Sequence, residues 1–101
     1  MSQKYPSFAA FYPYYLSEHQ NPTCRRLHFV GSSLIIMLCL AVLVTQNWLW
    51  LVALPFLGYG FAWIGHFFFE HNKPATFTYP FYSFIGDWVM FKDILIGRIR
   101  F

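Results

Sequence analysis

Between Arg26 and Glu70 the chain contains no Asp, Glu, Lys or Arg. One membrane crossing takes about 20 residues, so the charge-free window fits two crossings joined by a tight turn. Thr45-Gln46-Asn47, polar but uncharged, is the natural place for that turn. Folding there returns both ends of the window to the same face of the bilayer. His28 lies eighteen residues before Gln46 and His66 twenty after it. At about 1.5 Å per residue, both stand roughly 27–30 Å from the turn. Two imidazoles distant in sequence therefore reach one depth near one interface.

Composition agrees with a membrane chain. Hydrophobic residues make up 57% of the 101 residues and charged residues 11%, against roughly 25% charged in soluble domains. Aromatic residues are 24% and gather at or beyond the ends of the two spans, as interfacial belts do. The seven Lys and Arg all fall outside the hairpin: Lys4, Arg25 and Arg26 before it, and Lys73, Lys92, Arg98 and Arg100 after it. Positive residues stay on the cytoplasmic side, so both termini and both inner histidines are expected there. The basic residues do not interleave with polar base readers, which excludes a nucleic-acid role. No cleavable signal peptide is expected in the first 26 residues, which have no apolar core followed by a small-residue cleavage site. Cys24 and Cys39 are not expected to form a disulfide, and Cys39 reads as a small filler within a span.

The expected fold is all-α, a single membrane domain over residues 1–101 with main spans at about 27–45 and 48–69. Amphipathic or short membrane helices flank the hairpin. Residues Tyr5 to Leu16 carry apolar side chains at helical spacing. Pro6 suits a first helical position there, and Pro13 would bend or end the helix. Asn21-Pro22 is a start signal, with Asn as the cap. Pro55 predicts a kink in the second span. Gly58, Ala62 and Gly65, with Gly60 beside them, form a small-residue face that can pack on the first span or pair between copies of the chain. From Pro80 to Leu95 another helix is predicted, with Phe81, Phe84, Ile85, Trp88 and Leu95 on its apolar stripe and Asp87 and Asp93 mostly off it.

Four histidines, His19, His28, His66 and His71, fall within a few residues of the same interface. His66 and Glu70 are four apart and share a helix face. Ionisable groups at membrane depth usually mark function, which favours His28 and His66. His19 is an even case, and His71, in a loop, reads as an anchor. Three imidazoles and a carboxylate suit iron(II), zinc or manganese. The candidate metal ligands are therefore His19, His28, His66 and Glu70, although Glu70 also suits a partner that orients an imidazole. Asp87 reads as a surface or structural acid. Arg25, Arg26 and Lys73 are either ordinary snorkelling charge or anchors for a substrate carboxylate.

His19-Gln20-Asn21-Pro22, His28-Phe29-Val30-Gly31, Gly65-His66-Phe67-Phe68-Phe69-Glu70 and Lys73-Pro74-Ala75 resemble a family of small integral membrane proteins. Its characterised eukaryotic member is an iron(II)-dependent 2-hydroxy fatty acid dioxygenase. The likeness runs from about Phe11 to Gly97, and the stretch from Ser83 to Leu95 is similar to short bacterial-type members. It implies α-oxidation: cleavage of a 2-hydroxy fatty acid between C1 and C2 by molecular oxygen, giving an acid one carbon shorter. It further implies His19, His28 and His66 as ligands of Fe(2+), with Asn21, Glu70 and Pro74 as motif positions. The implied partners are a 2-hydroxy fatty acid, O2 and membrane lipid, and the implied location is a bacterial inner membrane.

Two other readings compete. The histidines of a non-catalytic scaffold would only anchor it. A haem protein would use His28 and His66 as axial ligands from two helices.

Overall fold

The computed structural model describes residues 5–101, so Lys4 lies outside the described residues. Four helical segments follow one another: α1 (Phe8–Ser17), α2 (Pro22–Thr45), α3 (Trp48–Glu70) and α4 (Pro80–Leu95), with a single 3-10 turn at Ala75–Phe77 before α4. No strand occurs among the described residues. α2 and α3 are both long and apolar enough to cross a membrane.

The start of α2 follows its sequence signal. The Asn21 side chain accepts from the backbone N–H of Thr23 at 2.8 Å and of Cys24 at 3.3 Å, and Pro22 occupies the first turn. α2 ends at Gln46, whose φ of 59° is left-handed and whose N–H closes on Val42 O at 2.7 Å. α1 starts later than Pro6 suggests and reaches one residue beyond Leu16. Ser7, not the residue before Pro6, caps it, accepting from Ala10 N at 3.2 Å. Pro13 sits inside the helix without ending it. Phe11 and Tyr15, both buried against Met90 and Ile94 of α4, hold the turn that the proline weakens.

Around Pro55, where a kink is predicted, α3 is irregularly wound. Trp48–Ala53 is wound as a 3-10 helix, Phe56–Gly60 as a π-helix, Phe61–Ile64 as α and Gly65–Glu70 again as π. Proline cannot donate its backbone bond, and Gly58, Gly60 and Gly65 weaken helical order after it, so the ladder changes pitch. Wide π turns recur at functional sites in other helices, and here the second one carries His66.

Besides the apolar cluster, several polar side chains are buried while many large apolar ones are exposed. Buried polar side chains include His19, His28, Ser32, His66, Ser83 and Asp93, while Met37, Leu40, Leu49, Val52, Phe56 and Phe68 are exposed. The orientation of α4, which the sequence leaves open, is set by the fold. Phe81 is 77% exposed and Phe84 63%, whereas Asp93 is 6% exposed and Ser83 and Gly86 are buried. The aromatic stripe turns outward and the small and polar face turns in.

Candidate metal centre

Three of the four candidate ligands converge. His19, His28 and His66 are buried, and each offers a nitrogen such that all three lie within 4.8 Å of one another. Their rings meet edge to face, with centroids 4.6 Å (His19–His28), 4.5 Å (His19–His66) and 5.0 Å (His28–His66) apart. Each residue arrives on a different element: His19 in the loop after α1, His28 in the second turn of α2, His66 in the second π turn of α3.

Every ring is oriented by an acceptor on Nδ1. The Nδ1–H of His19 donates to Tyr15 O at 2.6 Å, that of His28 to Cys24 O at 2.9 Å, and that of His66 to Asn72 Oδ1 at 2.7 Å. Carbonyl oxygens only accept, so each proton belongs on Nδ1 and each Nε2 presents a lone pair. His19 Nε2 and His28 Nε2 face each other at 3.2 Å. Two lone pairs at that separation repel unless something electropositive lies between them. The void beside them measures about 10 Å³, room for a small ion. Burial first, then the two neighbouring imidazoles, hold His19 well below the ordinary imidazole range, so its ring is neutral and free to coordinate at physiological pH. The donor set fits a divalent metal ion.

The supports come from distant parts of the chain. His71 ends α3 in the left-handed region (φ 60°), and its N–H bonds back to His66 O. That reversal swings Asn72 over the His66 ring. Asn72 Nδ2 then donates to Glu18 O at 3.2 Å and to Glu18 Oε1 at 3.3 Å, tying α1 to the end of α3. The Tyr15 ring stacks on His19 at 4.1 Å and 25°, and its hydroxyl donates to Asp87 Oδ1. Gly86 makes this possible, because a Cβ there would lie 2.9 Å from the Tyr15 ring.

Glu70 is not among the converging groups. Its carboxylate accepts the backbone N–H of Asn21, and Asn21 Nδ2 donates to Phe69 O at 3.3 Å, so the pair tethers the His19 loop to α3. Arg25 Nη1 donates to His19 O at 3.1 Å and Gln20 O at 2.9 Å. Arg26 Nε donates to Phe101 O at 2.8 Å, with its guanidinium over the Phe101 ring. Lys73 and His71 are exposed. Asp87, read from sequence as a surface or structural acid, lines the void with the three histidines. An acid within an aromatic helix was a signal for it; Asn72, Tyr15 and Ser83 gave none.

Two predictions follow from these supports. Asn72→Ala should weaken metal binding by roughly 10- to 100-fold, the usual effect of losing an imidazole's outer partner; competition with a chelator measures it. Burial raises Asp87 from 3.8 to about 6, against a smaller lowering by the Tyr15 hydroxyl. The folded state therefore holds this proton more tightly than the unfolded chain, and stability falls as pH rises from about 4 to 6. At about 1.4 kcal/mol per pH unit the fall is on the order of 3 kcal/mol. Metal-free Asp87→Asn should lack it, so the stability difference between the two proteins should change across that window and be flat above it. Denaturation at graded pH reads this.

A family model described as "2-hydroxy-palmitic acid dioxygenase Mpo1-like" matches residues 5–99. No curated protein and no solved structure matches the chain. The match spans α1 to α4 and all three converging histidines, and this chain belongs to the Mpo1-like family.

Proposed function

We propose that the chain is a membrane-embedded, iron(II)-dependent dioxygenase that cleaves 2-hydroxy fatty acids between C1 and C2, leaving acids one carbon shorter. The observation that carries this reading is the convergence of three buried imidazoles, each oriented through Nδ1, beside a void of about 10 Å³. Imidazole donors of this kind suit several first-row ions, and the family's description as a dioxygenase favours iron. When bound, iron(II) would supply redox chemistry toward dioxygen and positive charge for the carboxylate and hydroxyl oxygens of the substrate.

Everything else falls to the chain. His19, His28 and His66 hold the ion, and three protein ligands leave room for substrate. Tyr15, the Cys24 carbonyl and Asn72 fix the rings. Glu70 serves as the tether of the His19 loop. Arg25, Arg26 and Lys73 form a cationic rim that draws a carboxylate to this face, with Arg25 tied most directly to the centre through the His19 carbonyl. An apolar groove of about 360 Å³ lies between α2, α3 and α4, with His28 and Asp87 among its few polar residues. Its wall on α2 extends from Leu27 to Cys39, roughly 18 Å at about 1.5 Å per residue. A fatty acid with C1 and C2 at the imidazoles would lay its tail in this groove, away from water.

The same reading puts α2 and α3 across an inner membrane with both termini cytoplasmic. The outward apolar side chains of both helices support the crossing, and the Lys and Arg gathered outside the hairpin support the sidedness. Self-association would have to use those outer faces, because Gly65 and Gly58 are turned toward α2. A haem reading is disfavoured. His19 sits within 4.6 Å of the His28 ring and 4.5 Å of the His66 ring, where a macrocycle between the latter two would need to lie.

The test is product analysis. Protein loaded with iron(II) under anaerobic conditions is mixed with 2-hydroxypalmitic acid and oxygen, and the shortened acid is sought by mass spectrometry. Pentadecanoic acid that depends on both iron and oxygen is expected. Its absence from folded, iron-loaded protein overturns the reading.

A further inference from the structure

Ser83 is 2% exposed, and its Oγ has no hydrogen-bond partner. It lines the small void beside His19, His28 and His66. Buried hydroxyls are seldom left unpaired, so this one awaits a polar group that enters the void. Asp87 stands one helical turn further along α4, on the same face, and lines both the void and the apolar groove. One of its oxygens is engaged by the Tyr15 hydroxyl, which fixes the carboxylate in place. The imidazoles thus have a wall on the α4 side carrying one hydroxyl and one carboxylate.

We propose that Ser83 and Asp87 are specificity-determining residues that bind the hydroxyl on C2 of the substrate and select one of its two enantiomers. The inference rests on the dioxygenase reading for the identity of the ligand. A hydroxyl group both donates and accepts. Its hydrogen goes to the Asp87 carboxylate, and its oxygen accepts from Ser83 Oγ. The acyl tail in the groove and the carboxylate at the imidazoles fix two of the four substituents on C2. Only one enantiomer then turns its hydroxyl toward α4. Coordination to a metal alone would not distinguish the two. A buried site built to pair a hydroxyl also rejects the analogue lacking it, because its own polar groups are then stranded.

The experiment follows binding rather than turnover. The full chain, in lipid nanodiscs and loaded with cobalt(II), is titrated with each enantiomer of 2-hydroxypalmitic acid and with palmitic acid, while the cobalt absorption bands are recorded. One enantiomer should bind at least about tenfold more tightly than the other. Ser83→Ala and Asp87→Asn should each bring the preference to within about threefold, while Ser83→Thr, which keeps the hydroxyl, should retain it. Cobalt content reports that each variant is folded. Equal binding of the enantiomers by the unsubstituted protein overturns the proposal, as does an unchanged preference in both Ser83→Ala and Asp87→Asn. An enantiomer preference that both variants abolish, in a protein that yields no shortened acid with iron, upholds this wall and overturns the dioxygenase reading. Shortened acid formed from both enantiomers alike, with equal binding, does the reverse.

Discussion

His66→Ala should yield a folded protein that no longer retains stoichiometric iron, and product formation should fall by at least about 10³-fold, since a metal ion contributes several kcal/mol to such a barrier. The residue makes two contributions that nothing nearby can replace. Its Nε2 is one of three converging donors, and its Nδ1 holds Asn72, which in turn reaches Glu18. Glu70, four residues on, already accepts the Asn21 N–H and is not turned to the centre. The control is His71→Gly. His71 is exposed and left-handed at φ 60°, a conformation glycine adopts readily, so this variant should keep its iron and be no less stable. Elemental analysis of the two purified proteins decides the matter. An alanine variant at position 66 that keeps one iron per chain would remove the proposed centre.

Gly65→Ala should damage the centre without touching it. A Cβ at Gly65 would lie 2.9 Å from Cys24 Sγ and 3.1 Å from Cys24 Cα. The second contact is with the backbone of α2, so no side-chain rotation relieves it. The two long helices must separate, and they do so beside His66 on one and one turn from His28 on the other. Overpacking of this kind costs about 1–3 kcal/mol, offset in part by alanine's higher helix propensity, worth up to about 1 kcal/mol. Metal affinity should fall by roughly tenfold or more, because a shift of even a fraction of an ångström spreads donors that must share one ion. A Cβ at Gly60 would meet nothing within 4 Å, so Gly60→Ala should leave metal binding unchanged and be neutral or slightly stabilising. Equal metal affinity in the two variants would show that the packing of α2 on α3 does not set the donor geometry.

Much of the architecture was legible because it follows from local rules. Asn21-Pro22 opens α2 where the capping signal stands, and α4 runs from Pro80 to Leu95 as its apolar spacing predicts. The turn falls at Gln46, the middle of the polar interruption. What local rules left open has physical causes as well. α1 runs through Pro13 because Phe11 and Tyr15 are locked against α4, and a proline's local penalty says nothing of such packing. The spacing of apolar residues in α4 marks a stripe but does not say which way it faces. Phe81 and Phe84 face outward and Asp93 inward, an arrangement that packing against the other helices decides.

The centre divides along the same line. A charge-free window with a polar midpoint settles that two long helices double back, and the helical rise then puts His28 and His66 at one depth, because both depend only on distance along the chain. Which nitrogen of each ring points inward could not be read that way. It depends on Asn72 returning over His66 after a left-handed residue, and on Tyr15 being pressed against His19 by α4. The turning of Glu70 to Asn21, and the placing of Ser83 and Asp87 beside the imidazoles, likewise arise from contacts between remote segments. Hydrogen bonds of that kind require tenths of an ångström, and only the packed helices supply such distances.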